Sequence, residues 1–225
     1  MTEIDTEMEF LRQEDLIPPD RIQALKVEII GCGSVGSFTA LGLIKMGVRR
    51  LVVSDPDEVL PHNLPNQVFD LRHLDMKKVT AMVEIGRVHG MEVWPIPAEW
   101  TPELRGNDVL IVAVDSIEVR KAIFAQLLSP SYVFPKLFVD ARMGAEVGVI
   151  YTVSEDRIDR YTNTLHPSEE VHHAPCTARS TGYCAMGLGA YVCSAIRKFV
   201  IDEPIPFEFQ VDFRNWLSFK PKEKA

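Results

Sequence analysis

The chain alternates between short apolar runs rich in β-branched residues and longer segments in which apolar residues recur at helical spacing. The clearest apolar run lies within residues 108–114 and reads Val-Leu-Ile-Val-Ala-Val, which is typical of a strand buried on both faces. Such runs predict strands, and the segments between them, closed by Gly47 and Gly90, predict helices. The predicted strands cover residues 27–30, 50–54, 93–97, 108–114 and 136–140, and the predicted helices cover residues 37–46, 76–89 and 117–128.

The order of these elements indicates the fold class. Strands and helices follow one another as β-α-β-α-β-β-α-β, which predicts an α/β protein with a Rossmann-like, doubly wound, mainly parallel sheet and helices on both faces. After residue 145 the pattern changes, because residues 146–153 and 207–213 alternate between apolar and polar positions. We therefore expect C-terminal antiparallel strands, the last in a hairpin with residues 216–219, and a long helix over residues 183–200.

Composition also divides the chain into segments. Residues 1–20 are polar and acidic and predict an N-terminal arm, whereas residues 21–219 predict a single domain, as the length of 225 residues suggests. Residues 154–180 are rich in His, Pro and Ser and predict a long loop, which in a compact domain is usually functional or disordered. Residues 220–225 form a charged tail.

Composition and charge exclude several classes of protein. With 46% hydrophobic and 25% charged residues the chain can bury a core, so disorder is excluded as its main state. A net charge of −8 argues against nucleic-acid and anionic-membrane partners, and the lack of an apolar run of about 18 residues argues against a transmembrane helix. The acidic N-terminus does not resemble a secretory signal and the four cysteines form no CxxC pair, so the cytoplasm is the expected compartment.

A glycine motif predicts a nucleotide site. Gly31-x-Gly33-x-x-Gly36 lies between a predicted strand and a predicted helix, where glycines allow a tight turn and the helix N-terminus offers free N–H groups to phosphate. Asp55 follows at the end of the second strand, where a carboxylate reaches a ribose hydroxyl. The alternative is a tight turn that binds no ligand, with an aspartate that caps a loop.

Further short motifs follow in a fixed order. They are Asp55-x-Asp57-x-Val59, Asn63-Leu64-x-x-Gln67, Lys78-Val79, and Asp115 with Arg120 beyond it. Together with the glycine motif they resemble the E1-like adenylating family of the ThiF, MoeB and HesA type, which is related to the adenylation domains of ubiquitin-activating enzymes. Residues 10–13 resemble the N-terminal element of that family, and the resemblance extends to about residue 200.

The resemblance implies an ATP-dependent adenylyltransferase that activates the C-terminal carboxylate of a small ubiquitin-like or sulfur-carrier protein through an acyl-adenylate. It implies ATP and Mg²⁺ as cofactors, a homodimer, and residues 21–219 as one E1-like adenylation domain whose crossover loop covers residues 154–180. The implied nucleotide-binding residues are Gly31, Gly33, Gly36, Asp55, Asp57, Asn63, Gln67 and Lys78. The implied catalytic residues are Arg12, Lys78, Asp115 and Cys176, and Asp115 is also the implied Mg²⁺ ligand.

Several implied roles have a plainer alternative. Lys78 stands beside Lys77, and both suit a solvated helix face. Asp115 precedes a predicted helix and suits an N-cap. In the family an arginine at the position of Arg12 reaches into the site of the partner subunit, but an arginine in a polar arm is also ordinary surface.

Cys176 lies before the predicted helix over residues 183–200, in a region where some family members carry a cysteine that accepts the acyl group. A thiol near a helix N-terminus is suited to such a role, although many small relatives only adenylate. Together with His172 and His173, Cys176 offers at most three zinc ligands, or four with His166, and no CxxC pair, so zinc is not expected.

One position departs from the family pattern and leaves more than one function open. Asn66 stands where the family has an arginine that meets the triphosphate, and a neutral Asn cannot replace a bidentate cation. This favours, as an alternative, a non-catalytic E1-like scaffold subunit, unless Arg72 or Lys77 supplies the charge. The sequence is also compatible with a relative that adenylates a peptide or a modified-tRNA carboxylate, and with an NAD-dependent oxidoreductase, which would not require Lys78 and Asp115.

Overall fold

The computed structural model describes residues 9–101, 107–165 and 181–220, and their strands form one mixed sheet. The strands are β1 (Lys26–Ile30), β2 (Arg50–Ser54), β3 (Val93–Ile96), β4 (Val109–Val112), β5 (Leu137–Gly144), β6 (Val147–Val153), β7 (Glu208–Asp212) and β8 (Leu217–Phe219). Their order across the sheet is β3-β2-β1-β4-β5-β6-β7-β8. Strands β1 to β5 pair in parallel, and β5 to β8 pair antiparallel, which confirms the predicted fold class.

Helices cover both faces of the sheet. They are α1 (Pro19–Ala24), α2 (Ser34–Met46), α3 (Lys78–Val88), α4 (Ile117–Leu127), α5 (Ile158–Thr162) and α6 (Gly182–Val200). Helices α2, α3 and α6 contribute to one apolar core, and α4 and α5 contribute to a second. Strand β4 sends Val109 and Ile111 into the first core and Leu110 and Val112 into the second, which explains its uninterrupted apolar sequence. Within the described ranges, no helix combines the length and apolarity needed to cross a membrane.

Helix α2 begins at Ser34, three residues earlier than the sequence predicts, because the glycine loop leads directly into it. Gly33 is the N-cap, and Gly36 already lies in the first helical turn. The helix ends as predicted at Gly47, which adopts the left-handed conformation with φ +98°.

The polar segment that starts at residue 154 contains structure that the sequence did not predict. A 3₁₀ turn at Glu155–Arg157 leads into α5, which carries the fully buried Tyr161. The ring of Tyr161 packs edge-to-face against Phe124 and Phe138, with ring centroids 4.6 and 5.1 Å away. One aromatic side chain in a polar sequence therefore anchors the segment to the core, since burying a large ring outweighs weak local helix propensity.

Two cysteines of α6 lie in the core. Cys184 and Cys193 on α6 are buried, and burial raises the pKa of their thiols to about 11 and about 12. Both therefore remain neutral at physiological pH.

Candidate nucleotide-binding and active site

Three predicted parts of the site, namely the glycine loop, Asp55 and Asp115, lie at the carboxyl edge of the parallel sheet. Strand β1 lies between β2 and β4, and the chain leaves β1 at the glycine loop, β2 at Asp55 and β4 shortly before Asp115. Such a reversal of strand order leaves a crevice at the carboxyl ends of the strands, which is where open α/β sheets bind ligands.

The three glycines of the loop have different structural roles. Gly31 has φ +92°, and a Cβ there would lie 2.9 Å from the carbonyl oxygen of Ala113. A Cβ on Gly36 would lie 1.9 Å from the carbonyl oxygen of Gly31, so the turn closes only with glycine there. A Cβ on Gly33 would meet nothing within 4 Å, and this glycine leaves open space at the loop.

The N-terminus of α2 suits a phosphate group. Its N-cap, Gly33, provides no side-chain acceptor, and the first turn contains no acidic residue. The first backbone N–H groups of a helix lack partners within the helix, and the helix dipole favours negative charge there. The loop and helix therefore fit the phosphates of a nucleotide.

Asp55 joins the end of β2 to the glycine loop. The residue is 6% exposed, and its Oδ2 accepts a hydrogen bond of 2.6 Å from the backbone N–H of Cys32. Oδ1 accepts from the backbone N–H of Asp57 at 2.9 Å. Burial, together with the Asp55 charge, raises the pKa of the Cys32 thiol far above its ordinary value, so this cysteine is not a nucleophile.

Lys78 is buried beside Asp55 and Asp57 and does not lie on a solvated helix face. Its side chain is 8% exposed, and Nζ lies 2.6 Å from Oδ2 of Asp57 and 3.7 Å from Oδ1 of Asp55. The solvated lysine of this pair is Lys77. Its side chain is 42% exposed and donates to the backbone carbonyl of Pro56 at 2.9 Å.

Asn63 and Gln67 lie in the segment between β2 and α3 and are buried. Oδ1 of Asn63 accepts from the backbone N–H of Leu60 at 2.8 Å, so this side chain shapes the segment. Oε1 of Gln67 is buried and has no hydrogen-bond partner among the described residues, which makes it an acceptor that a ligand or water can satisfy. Asn66 beside it is half-buried.

Asp115 is exposed just beyond β4, immediately before α4. The N-cap of α4 is Ser116, whose hydroxyl accepts from the backbone N–H of Val119 at 3.3 Å, so the N-cap alternative for Asp115 is wrong. The described residues contain no group of three or more His, Cys, Asp or Glu side chains arranged to hold a metal. A Mg²⁺ that arrives with a nucleotide needs only one or two carboxylates, and an exposed Asp115 fits that requirement.

Arg12 lies away from the glycine loop of its own chain. Beside it, Phe10 packs against Gly47, and the side-chain amide of Gln13 donates to the backbone carbonyl of Met46 at 3.2 Å. Both contacts lie at the C-terminal end of α2, whose 13 residues separate it from the loop by about 18 Å. Cys176 and the three histidines near it lie outside the described residues.

The sequence alone did not identify a buried polar network behind the site. Arg120 on α4 and Asp140 on β5 form an ion pair in the interior, and Asp140 also accepts from Arg142 and from the hydroxyl of Tyr161. The spacing of Arg120 after Asp115 is the one signal that points to it.

The sequence profile of the ThiF family matches residues 8–208. The chain belongs to the ThiF family. This confirms the resemblance that the chained motifs indicated, over nearly the same range. In sequence, the chain is 31% identical over 101 residues to the uncharacterized protein y4oA of Sinorhizobium fredii (strain NBRC 101917 / NGR234), a match that covers 44% of this chain and 16% of that protein.

Solved structures show the same fold. E. coli MccB crystallised with AMPCPP and selenomethionine MccA has a TM-score of 0.72 at 14% identity, over 98% of this chain and 72% of that one. MccB crystallised with ATP has a TM-score of 0.68 at 14% identity, and the selenomethionine form of PaaA has 0.69 at 15%. Each of these two matches covers 90% of this chain but only 65% of the other, so this member of the ThiF family spans less than two thirds of each of these two crystallised chains.

Proposed function

We propose that this protein is an E1-like adenylyltransferase that uses Mg·ATP to activate the C-terminal carboxylate of a small ubiquitin-like or sulfur-carrier protein. The observation that carries the proposal is the convergence of the open glycine loop, buried Asp55 and buried Lys78 at one edge of the sheet. A Rossmann-type dinucleotide site, which binds pyrophosphate at the helix N-terminus and ribose at a carboxylate, does not require a buried cation beside that carboxylate.

The proposed reaction requires positioning and charge more than covalent catalysis. An oxygen of the carboxylate forms a bond to the α-phosphorus of ATP, the bond from that phosphorus to the bridging oxygen breaks, and pyrophosphate leaves with the electron pair. Negative charge grows on the phosphates, so preorganised donors and cations are the effective catalysts. Mg²⁺, when bound, neutralises part of this charge.

The residues at the sheet edge would then have separate roles. The glycine-loop N–H groups would hold phosphate oxygens, and the Lys78 ammonium would neutralise the α-phosphate. Each oxygen of Asp55 accepts one hydrogen bond from the protein, so the carboxylate retains acceptor capacity for a ribose hydroxyl. Asp57, Asn63 and Gln67 would complete the nucleotide site, and Asp115 would hold Mg²⁺.

Two proposed roles involve either a second copy of the chain or a residue outside the described ranges. Because Arg12 lies at the far end of α2, a contact from it to a nucleotide at the glycine loop must come from a second copy of the chain. A homodimer is therefore proposed as the active unit. Cys176 is proposed as the acceptor of the activated acyl group: its thiolate would form a thioester with the acyl carbon, and the bond from that carbon to AMP would break, so that AMP leaves.

A groove on another part of the molecule supports a polypeptide partner. It has a volume of about 570 Å³, it lies between α6 and the β7–β8 hairpin, and Tyr183, Tyr191 and Phe213 contribute to its walls. Trp216 at its rim is 92% exposed. Exposed aromatic side chains around a groove are typical of protein-binding surfaces, so we propose that the carrier docks here.

The first experiment is a thermal-shift titration with Mg·ATP, AMP and NAD⁺ side by side. A ligand that binds only the native state raises the melting temperature by mass action. We expect a rise with Mg·ATP that is weakened in Asp115→Ala and retained in Glu118→Ala, which removes an exposed acidic residue three positions further on. A rise with NAD⁺ alone would overturn the proposal in favour of an oxidoreductase.

A second candidate function is favoured by Asn66, which lacks the positive charge that the family places there. If no nucleotide raises the melting temperature, a non-catalytic scaffold subunit becomes the better explanation. If Mg·ATP does raise it, carboxylate-dependent exchange between pyrophosphate and ATP then separates an active enzyme from a nucleotide-binding scaffold. Peptides with free and amidated C-termini are the probes, and a peptide that supports exchange would favour the peptide-adenylating alternative.

A further inference from the structure

A buried polar network lies directly behind the turn that carries Asp115. Arg120 is 5% exposed, and its guanidinium forms an ion pair with Asp140, which is fully buried. The same guanidinium donates hydrogen bonds to the backbone carbonyls of Val114 and Ala141, the second at 3.0 Å. One buried cation therefore joins the end of β4, the strand β5 and the first turns of α4.

Asp140 is the centre of this network. Besides its ion pair with Arg120, it accepts from Nε of Arg142 at 2.6 Å and from the hydroxyl of Tyr161 at 2.8 Å. Arg142 continues to Thr164, where it donates to the backbone carbonyl at 2.9 Å and to the hydroxyl at 3.0 Å. The carboxylate is thus compensated by two cations and a hydroxyl, and Arg120 is held in one orientation.

A buried ion pair of this kind is not explained by stability alone. Removing two charges from water is costly, and well-packed apolar side chains of similar volume often stabilise a protein as well or better. The surroundings here are apolar, since Phe124 and Phe138 pack in the same core. An apolar side chain at position 120 would fill the space, but it would provide no donor to the carbonyl of Val114.

We propose that Arg120 is a positioning residue for Asp115: held by Asp140, it fixes the carbonyl of Val114 and so determines where the neighbouring Asp115 carboxylate lies relative to the glycine loop. This inference rests on the proposed function, because the placement of Asp115 matters only if Asp115 holds the Mg²⁺ of Mg·ATP. The guanidinium of Arg120 is buried and bound to Asp140 and to two backbone carbonyls, so its proposed effect on the nucleotide passes through the turn.

The test compares Arg120→Lys with Phe124→Leu. Lysine keeps a positive charge near Asp140 but lacks the planar fork that also reaches the two carbonyls. Phe124→Leu shortens a buried side chain on the same helix; this side chain packs against the ring of Tyr161 and has no polar group with which to hold the turn. The two variants therefore separate the loss of placement from a general loss of stability.

We expect amide hydrogen exchange over residues 113–120 to be at least tenfold faster in Arg120→Lys than in Phe124→Leu. The two variants are compared at temperatures that lie equally far below their melting temperatures. The Mg²⁺ concentration for half-maximal ATP binding should rise at least fivefold in Arg120→Lys only. Binding of ATP in the presence of EDTA should change less than twofold in both variants.

Equal exchange rates over residues 113–120 in the two variants would overturn the inference, regardless of the results for nucleotide binding and activity. If the wild-type chain does not bind Mg·ATP, the proposed function fails, and the exchange comparison still shows whether Arg120 holds the turn. If Arg120→Lys does not fold, Tyr161→Phe takes its place, because it removes one donor to Asp140 and keeps the ring. No faster exchange in Tyr161→Phe than in Phe124→Leu would again overturn the inference.

Discussion

The ammonium group of Lys78 lies 2.6 Å from the carboxylate of Asp57 and 3.7 Å from that of Asp55, at the point where α3 begins. The backbone N–H of Lys78 donates to the carbonyl of Asp57 at 3.0 Å, so the start of the helix is tied to the same residue as the side chain. The two carboxylates therefore hold the charge of the lysine close to the glycine loop before any nucleotide arrives.

The proposed role of this charge is tested with neighbouring lysines. We expect Lys78→Gln to weaken Mg·ATP binding at least tenfold, which corresponds to about 1.4 kcal/mol. Lys77→Gln should leave the affinity within twofold, because Lys77 binds Pro56 and Glu58 at the surface. Isothermal titration calorimetry with both variants gives the comparison. Equal losses in the two variants would mean that general electrostatic attraction, and not the buried position of Lys78, governs the affinity.

The same substitution should have different effects at two glycines of the loop. Gly36→Ala brings a methyl group against the carbonyl of Gly31 and should destabilise the fold by about 3 kcal/mol or more. Gly33→Ala has open space and a negative φ, so the fold should lose no more than the roughly 1 kcal/mol by which alanine is the poorer N-cap, while Mg·ATP binding weakens. Urea unfolding and nucleotide titration measure the two effects. Unchanged nucleotide binding in Gly33→Ala would place the phosphates elsewhere.

The residue that departs from the family pattern gives a third prediction. Asn66→Arg restores the family cation beside the buried Gln67, and we expect Mg·ATP affinity to be maintained or to rise. Fluorescence titration with a labelled ATP analogue measures this, with Asn66→Gln as the control for size without charge. A collapse of binding in Asn66→Arg alone would show that the neutral residue is adapted to its site.

A fourth prediction concerns the groove beside the β7–β8 hairpin. We expect Trp216→Ala to weaken binding of the proposed carrier protein at least tenfold while leaving Mg·ATP binding unchanged, since exposed tryptophans are frequent binding hot spots. Val133→Ala removes a 74% exposed apolar side chain outside the groove and serves as the control. Carrier binding that is equally tight in both variants would exclude this docking surface.

The raised pKa of a buried thiol predicts how the free energy of unfolding depends on pH. Burial raises the pKa of Cys193 from 9.0 to about 12, so the folded chain keeps this thiol neutral while the unfolded chain ionises it. Its contribution is complete below pH 9 and is lost as the pH rises from 9 towards 12. In Cys193→Ala the decline of the unfolding free energy over this range should be less steep by up to about 1.4 kcal/mol per pH unit. Urea unfolding at pH 8, 9 and 10 provides the measurement, and parallel curves for the two proteins would contradict it.

Much of the fold and part of the site could be predicted because they follow from local rules. The apolar run of β4 required a strand buried on both faces, and Gly31 and Gly36 required a tight turn between a strand and a helix. Parallel strands with intervening helices then brought the loop, Asp55 and Asp115 to one edge, because the carboxyl ends of parallel strands share that edge.

Further features could not be predicted because they depend on partners distant in the sequence. The helix that carries Tyr161 has a polar sequence, and its position is decided by Phe124 and Phe138, which belong to other elements. Likewise, Lys77 and Lys78 are the same residue type. The resemblance to the family named Lys78, but only the tertiary structure shows that Lys77 is exposed and Lys78 is buried against Asp57.

The sequence by itself therefore determined the order of elements, the class of sheet and the family, since hydrophobic period and turn chemistry act between near neighbours. The tertiary structure alone decided which charges are buried and with whom they pair. The Arg120–Asp140 pair is the clearest example, because its two members are 20 positions apart and meet only when α4 packs on the sheet beside β5. Burial makes such pairs costly, and only a folded environment can compensate them.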